Sequence, residues 1–163
     1  LAICLHSRRG GAMLTRMRRV STRRFVGAPV DDVFDWIADG TNWATITGML
    51  YSRVRSADGA EPNGVGSIRD FASLGSKVSE IITEFDRPRY MGYQALSSIP
   101  KIEHDGGSIA FHEVPGGTDV VWTTAFRLTV PVVGDLLTRI YAPLIKLGMI
   151  RVIQAADRAL GKR

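Results

Sequence analysis

Between Leu50 and Val130 the chain reads as extended, apolar-rich runs separated by very short turn segments. The separators are ADGAEPNG, LGSK, DRPR, HDGG and PGGT. Glycine, proline, asparagine and aspartate supply the backbone angles that tight turns need. A helical crossover between parallel strands takes roughly a dozen residues or more, and these separators are shorter. Successive strands must therefore be antiparallel hairpin partners. The runs cover about 50–56, 66–74, 77–86, 90–97, 107–114 and 118–130. A further strand is expected over about 17–26, where Val20, Thr22, Arg24 and Val26 alternate with Ser21, Arg23 and Phe25.

Two segments follow a helical period instead. In GAPVDDVFDWIADGTNW, Pro29 suits a first helical turn, and Asp31 and Asp32 favour its positive end. Val30, Val33, Phe34 and Ile37 form an apolar stripe, Asp39-Gly40 ends the helix, and 42–47 is expected as a second helical turn. After Pro131 a long C-terminal helix is expected. Leu137, Tyr141, Leu144, Gly148, Val152, Ala155 and Ala159 would share its inner face, opposite Arg139, Lys146 and Asp157. Pro143 should bend it. A mid-helix glycine costs about 1 kcal/mol relative to alanine. An inward Gly148 then implies either room for something beneath the helix or close backbone packing.

The 163 residues suffice for one domain with a sizeable core, placed at 17–163. Residues 1–16 read as a leader that the fold can dispense with. The first 24 positions hold seven arginines and no acid, whereas the remainder carries 14 basic against 16 acidic residues. The net charge of +5 thus comes from the arm, and the body has no global reason to seek nucleic acid. The arm's alternative use is weak contact with an anionic membrane, or with RNA. Cys4 is the single cysteine, which points to a reducing, cytoplasmic setting. No apolar run approaches the ~18 residues of a membrane span.

The order of a strand, two short helices, six antiparallel strands and a long helix resembles the helix-grip fold of the START-like (SRPBCC) superfamily. That superfamily includes polyketide cyclase/dehydrase-like and birch-pollen-allergen-type proteins. APVDDVFDWIADGTNW resembles its opening segment, GVGSIRDF its Gly-x-Gly-x-x-Arg strand, VSEIITEFDRPRYMGY its Asp-x-Pro-Arg hairpin, and PGGTDVVWT its Gly-Gly-Thr hairpin. The resemblance covers about 17–160. It implies an α+β fold in which a curved seven-stranded antiparallel sheet wraps the long helix around a mostly apolar cavity for hydrophobic ligands.

Glu80 is the sharpest question the sequence poses. Val78, Glu80, Ile82 and Glu84 alternate with Ser79, Ile81, Thr83 and Phe85, and both faces mix polar with apolar residues. The resemblance implies that Glu80 faces the cavity, with Tyr93, Ala95 and Ser97 on the next strand and Trp122, Thr124, Phe126 and Leu128 on the last. The implied ligand site is Arg69, Glu80, Tyr93, Trp122, Thr124, Phe126, Tyr141, Leu144 and Gly148. A Glu80–Arg69 cross-strand ion pair or a solvated Glu80 are the alternatives.

His104 beside Asp105 reads as a solvated loop histidine before it reads as catalytic, and no catalytic residue is assigned. Neither metal-ligand spacing nor a cofactor motif is present: the glycines of GVGSIRDF precede a strand, unlike a phosphate loop, which opens a helix. The expected function is binding or carriage of a small hydrophobic molecule such as a lipid or polyketide, by a monomer or homodimer. The competing functions are a polyketide aromatase/cyclase or dehydratase and a protein-interaction module.

Overall fold

The computed structural model describes residues 17–56 and 61–161. The expectations for residues 1–16 lie outside the described residues. Seven strands form a single antiparallel sheet: β1 (Arg18–Val26), β2 (Met49–Arg55), β3 (Ile68–Ser73), β4 (Ser76–Asp86), β5 (Tyr90–Ile99), β6 (Ile102–Val114) and β7 (Gly117–Leu128). Their order is β1-β7-β6-β5-β4-β3-β2. The five hairpins from β2 to β7 follow from the short turns. Only the β1-to-β2 connection crosses the sheet, and it carries α1 (Val30–Ala38) and a 3-10 helix (Gly40–Thr45). α2 (Gly134–Leu160) lies over the concave face, chiefly against β1 and β7. This is the helix-grip fold.

One core joins the three layers. Phe34 of α1 meets Phe85 and Phe111 edge-on at 5.0 Å each. Met91, Ile109 and Val120 of the sheet are fully buried, as are Ile153 and Ala156 of α2. Thr138 ties the helix start to the sheet. Its hydroxyl accepts the Leu128 N–H at 2.9 Å and donates to the Gly134 carbonyl at 2.7 Å. At the far end, Asp157 accepts the Gly27 N–H at 2.9 Å.

Three expectations need correction. The HDGG segment is not a turn: β6 runs through it, and a bulge between His104 and Gly107 absorbs the extra residues. Gly106 takes φ +79°, a conformation open to glycine. Glu84 does not share a face with Glu80. A bulge between Ile82 and Glu84 shifts the alternation, so Glu84 sits outside opposite Gly92 and is exposed. Finally, the buried residues of α2 are Gly134, Thr138, Ala142, Met149, Val152, Ile153, Ala155 and Ala156, so Val152 and Ala155 are buried as expected but the stripe as a whole is turned by about one position. Leu144, Gly148 and Ala159 are exposed, while Leu137 and Tyr141 are half-buried. The apolar residues of α2 cover more than one face, so periodicity alone set the phase of the inner face only in part.

Candidate functional site

Arg69 and Glu80 are directly opposed in the β3–β4 ladder. Both point to the concave face, and both are shielded from water, at 0% and 4% exposure. Their side chains meet at 2.5 Å between Arg69 Nη2 and Glu80 Oε1. The two charges are each other's partners, while Arg69 Nε has no hydrogen-bond partner among the described residues. The guanidinium is also held by aromatic faces. Arg69 Cζ lies 4.6 Å from the Trp43 ring centroid and 5.5 Å from that of Tyr93. Gly40 makes this possible. A Cβ there would come within 3.1 Å of Arg69 Cδ and 3.2 Å of Val54 Cγ2, so the glycine lets the 3-10 helix pack onto the arginine stem without crowding it. Burial raises the Glu80 carboxyl above its usual range, and Arg69 opposes that rise.

A second polar group adjoins the first. Trp122 Nε1–H donates to Tyr93 Oη at 2.8 Å, and Thr124 also hydrogen-bonds that hydroxyl. His104 lies in β6, half-buried and stacked on the Tyr93 ring at 5.7 Å. Its Nδ1 accepts the Ala95 N–H at 3.0 Å, which places the imidazole proton on Nε2. Nε2–H then donates to Thr124 Oγ1 at 2.9 Å. Tyr93 Oη accepts from Trp122 and keeps its own proton to give. Burial and the nearby Glu80 charge raise its pKa, so that proton stays in place as a donor.

The solvated-loop reading of His104 is therefore corrected. The cause is the β-bulge: β5 and β6 pair only from Tyr90–Tyr93 to Gly107–Ala110, then separate. Side chains bridge the gap, His104 to Ala95 N–H and Gln94 Nε2–H to the His104 carbonyl at 2.7 Å. Nothing in the order of residues marks an imidazole that replaces a ladder bond. Burial lowers the His104 pKa, and Asp105 partly offsets the effect. The stability this gives is complete above about pH 6.5, the ordinary histidine value, and is lost as pH falls through the lower folded value. His104→Gln should flatten the melting temperature between pH 7 and 5, whereas an unchanged slope would remove His104 as its source.

Most residues implied for the ligand site meet on this face. Arg69, Glu80, Tyr93, Trp122 and Thr124 form the polar group, and Phe126 meets the Tyr141 ring edge-on at 6.4 Å. Trp43, 5.8 Å from Trp122, belongs with them and was not singled out from sequence. Ala95 is half-buried and Ser97 exposed. Leu144 and Gly148 do not join this group: both are exposed on α2. Tyr141 Oη donates to the Gly75 carbonyl at 3.4 Å on one side. On the other, a Cβ on Gly48 would lie 3.8 Å from Arg151 Nη1. Between these contacts a Cβ on Gly148 would meet nothing within 4 Å, which rules out close backbone packing as the reason for this glycine. Gly148→Leu is expected to raise stability by ~0.5–1 kcal/mol through helix propensity. It should also slow uptake of a hydrophobic probe, measured by stopped-flow fluorescence; unchanged kinetics would place the access route elsewhere.

Two open depressions lie away from Glu80. One, of about 340 Å³, is polar, lies at the β5–β6 gap and is lined by Arg19, Gln94, Asp105 and Ser108 but also by Tyr93 and Thr124 of the polar group. The other, of about 350 Å³, lies among Asp39, Glu61 and Arg87. No cluster of three metal-ligating side chains occurs among the described residues. No described helix is long and apolar enough to cross a membrane.

Solved structures share this fold at low sequence identity. The di-domain aromatase/cyclase BexL from the BE-7585A biosynthetic pathway superimposes with a TM-score of 0.74 at 15% identity, over 91% of this chain. The chain spans only 52% of that protein. The Zhui aromatase/cyclase from Streptomyces sp. R1128 gives 0.73 at 16% identity, over 88% of this chain and 93% of that one. Protein TTHA0849 from Thermus thermophilus gives 0.66 at 20% identity, over 86% and 95%. Among curated protein sequences nothing matches. The family model described as polyketide cyclase / dehydrase and lipid transport matches residues 17–160, nearly the whole sheet-and-helix unit built above. The chain belongs to the polyketide cyclase / dehydrase and lipid transport family.

Proposed function

We propose that the chain binds a small, mainly hydrophobic molecule on the concave face beneath α2, with its polar end held by Arg69, Glu80 and Tyr93. One observation carries this reading: the Arg69–Glu80 pair is buried on the concave face, with Arg69 Nε left without a hydrogen-bond partner among the described residues, beside the Tyr93 hydroxyl. Buried polar groups are ordinarily satisfied, so a site of this kind suits a ligand oxygen. Aromatic walls from Trp43, Trp122, Phe126 and Tyr141 suit a flat or fused-ring body. The lipid-transport description of the family and the aromatase/cyclase neighbours agree with such a ligand.

A hydroxylated fused-ring probe, 2-naphthol, tests this through quenching of Trp43 and Trp122. Tyr93→Phe removes one hydrogen bond worth about 0.5–1.5 kcal/mol, which is roughly a 2- to 10-fold loss of affinity. Glu80→Gln should change affinity modestly and abolish its pH dependence. Equal affinity and equal pH profile in all three proteins would sink the proposal.

A second reading is favoured by the Tyr93–Thr124–His104 chain. It could hold and move a proton at Tyr93 Oη while a polyketide-like substrate closes a ring. In that case Tyr93→Phe would retain substrate binding and lose turnover.

A further inference from the structure

The helix face turned away from the sheet is apolar where a solvated helix would be polar. Leu136, Ile140, Leu144 and Leu147 recur at spacings of four, four and three, so they form one stripe, and all are exposed. The stripe stops before the last turns of α2, where Gln154, Asp157 and Arg158 take over the exposed surface. It continues instead onto the turns at the same end of the sheet. Val132, fully exposed, lies in the β7–α2 connection. The Thr129 N–H donates to the Lys101 carbonyl at 3.1 Å, which brings in the β5–β6 turn with exposed Ile99. The Tyr141–Gly75 contact brings in the β3–β4 turn with Leu74, 81% exposed. Nine of the thirteen large exposed apolar side chains among the described residues fall at this end, too concentrated for scattered surface apolars.

The charge at this end is one-sided. Residues 73–77, 98–102 and 129–151 hold five basic side chains, Lys77, Lys101, Arg139, Lys146 and Arg151, against the single acid Asp135. All five are exposed, and Arg139 and Lys146 form no ion pair among the described residues. The rest of the described surface carries more acids than bases. A leucine- and isoleucine-rich face bordered by lysine and arginine matches the boundary of an anionic bilayer: acyl chains for the apolar stripe, phosphates for the rim. An acidic protein surface would answer the charge but would leave this much apolar area to a shape-matched partner. We propose that this end, built from the outer face of α2 and the β3–β4, β5–β6 and β7–α2 turns, docks onto an anionic lipid bilayer. The inference rests on surface composition and is independent of the ligand reading.

The experiment is co-sedimentation of the full chain with phosphatidylcholine vesicles containing 30% phosphatidylglycerol, with pure phosphatidylcholine vesicles as control. Ile140→Asp and Leu74→Asp are exposed positions, and their melting temperatures report whether the fold is intact. The expected result is binding to the anionic vesicles that falls at least tenfold in each variant, weakens in 0.5 M salt and is much lower on phosphatidylcholine. Equal binding to both vesicles would overturn the anionic assignment. Loss of binding on replacing Arg8, Arg9 and Arg16 by glutamine, with Ile140→Asp unaffected, would transfer the contact to the N-terminal arm and overturn the proposal. So would a dimer in analytical ultracentrifugation that Ile140→Asp dissociates, with no vesicle binding, since the face would then belong to a second copy.

Discussion

Arg69→Met is expected to destabilise the protein by about 3–5 kcal/mol, because it strands a buried carboxylate at Glu80. For a chain of this size that is a fall of about 6 to 20 °C in melting temperature. The arginine stem is nearly matched by methionine, so little of the effect comes from lost volume; the charge and its contact with Trp43 are what disappear. The deficit should depend on pH. Burial already raises the Glu80 pKa, and the variant removes the group that opposes the rise. A group raised in the folded state contributes its stability below the unfolded value and loses it as pH climbs through the folded value. The variant should therefore be weakest above neutrality and recover toward pH 4.5. Adding Glu80→Leu should restore most of the loss, since an apolar pair can replace a buried ion pair. Thermal melts of both single variants and the double, at two pH values, check this. A melting temperature within two degrees of wild type for Arg69→Met would show that the pair is not buried as described.

The second large effect is expected at Gly107. It lies opposite Tyr93 in the β5–β6 ladder, and a Cβ there would fall inside the space of Tyr93 Cζ and Oη. The tyrosine ring lies across the glycine and owes its position to the missing side chain. Gly107→Ala forces the ring off its stack on His104 and breaks its bonds to Trp122 and Thr124. Overpacking of this kind costs about 1–3 kcal/mol, and affinity for 2-naphthol should fall with it. On a Tyr93→Ala background the same substitution should cost almost nothing. Additive losses in the two backgrounds would mean that the ring is not what Gly107 accommodates.

These positions also show what the sequence could convey. Antiparallel pairing was legible because turn chemistry is local: LGSK, DRPR and PGGT each fit a tight turn wherever they stand. The inward face of Glu80 needed the family resemblance, since alternation on β4 offered both faces equally; its cross-strand ion pair with Arg69 was the alternative left open. The bulges were not legible. One extra residue between Ile82 and Glu84 moves Glu84 outside, and the count of apolar residues is the same with or without it. His104 was missed for the same reason, because the gap it fills exists only once β5 and β6 have separated. The phase of α2 was misread in part because Leu136, Ile140 and Leu144 are apolar yet exposed, so two stripes competed for one inner face. That ambiguity was itself a signal, since a solvated helix is ordinarily polar on the face opposite its buried stripe.

The central claim is that the concave face beneath α2 is a ligand site anchored at Arg69, Glu80 and Tyr93. Chemical-shift mapping of the isotope-labelled protein during titration with 2-naphthol tests it most directly. Saturable shifts should concentrate at the side chains of Arg69 and Trp122 and at the amides of Glu80 and Tyr93. Shifts confined to the depression around Gln94, Asp105 and Ser108, or no saturable shifts at all, would contradict it.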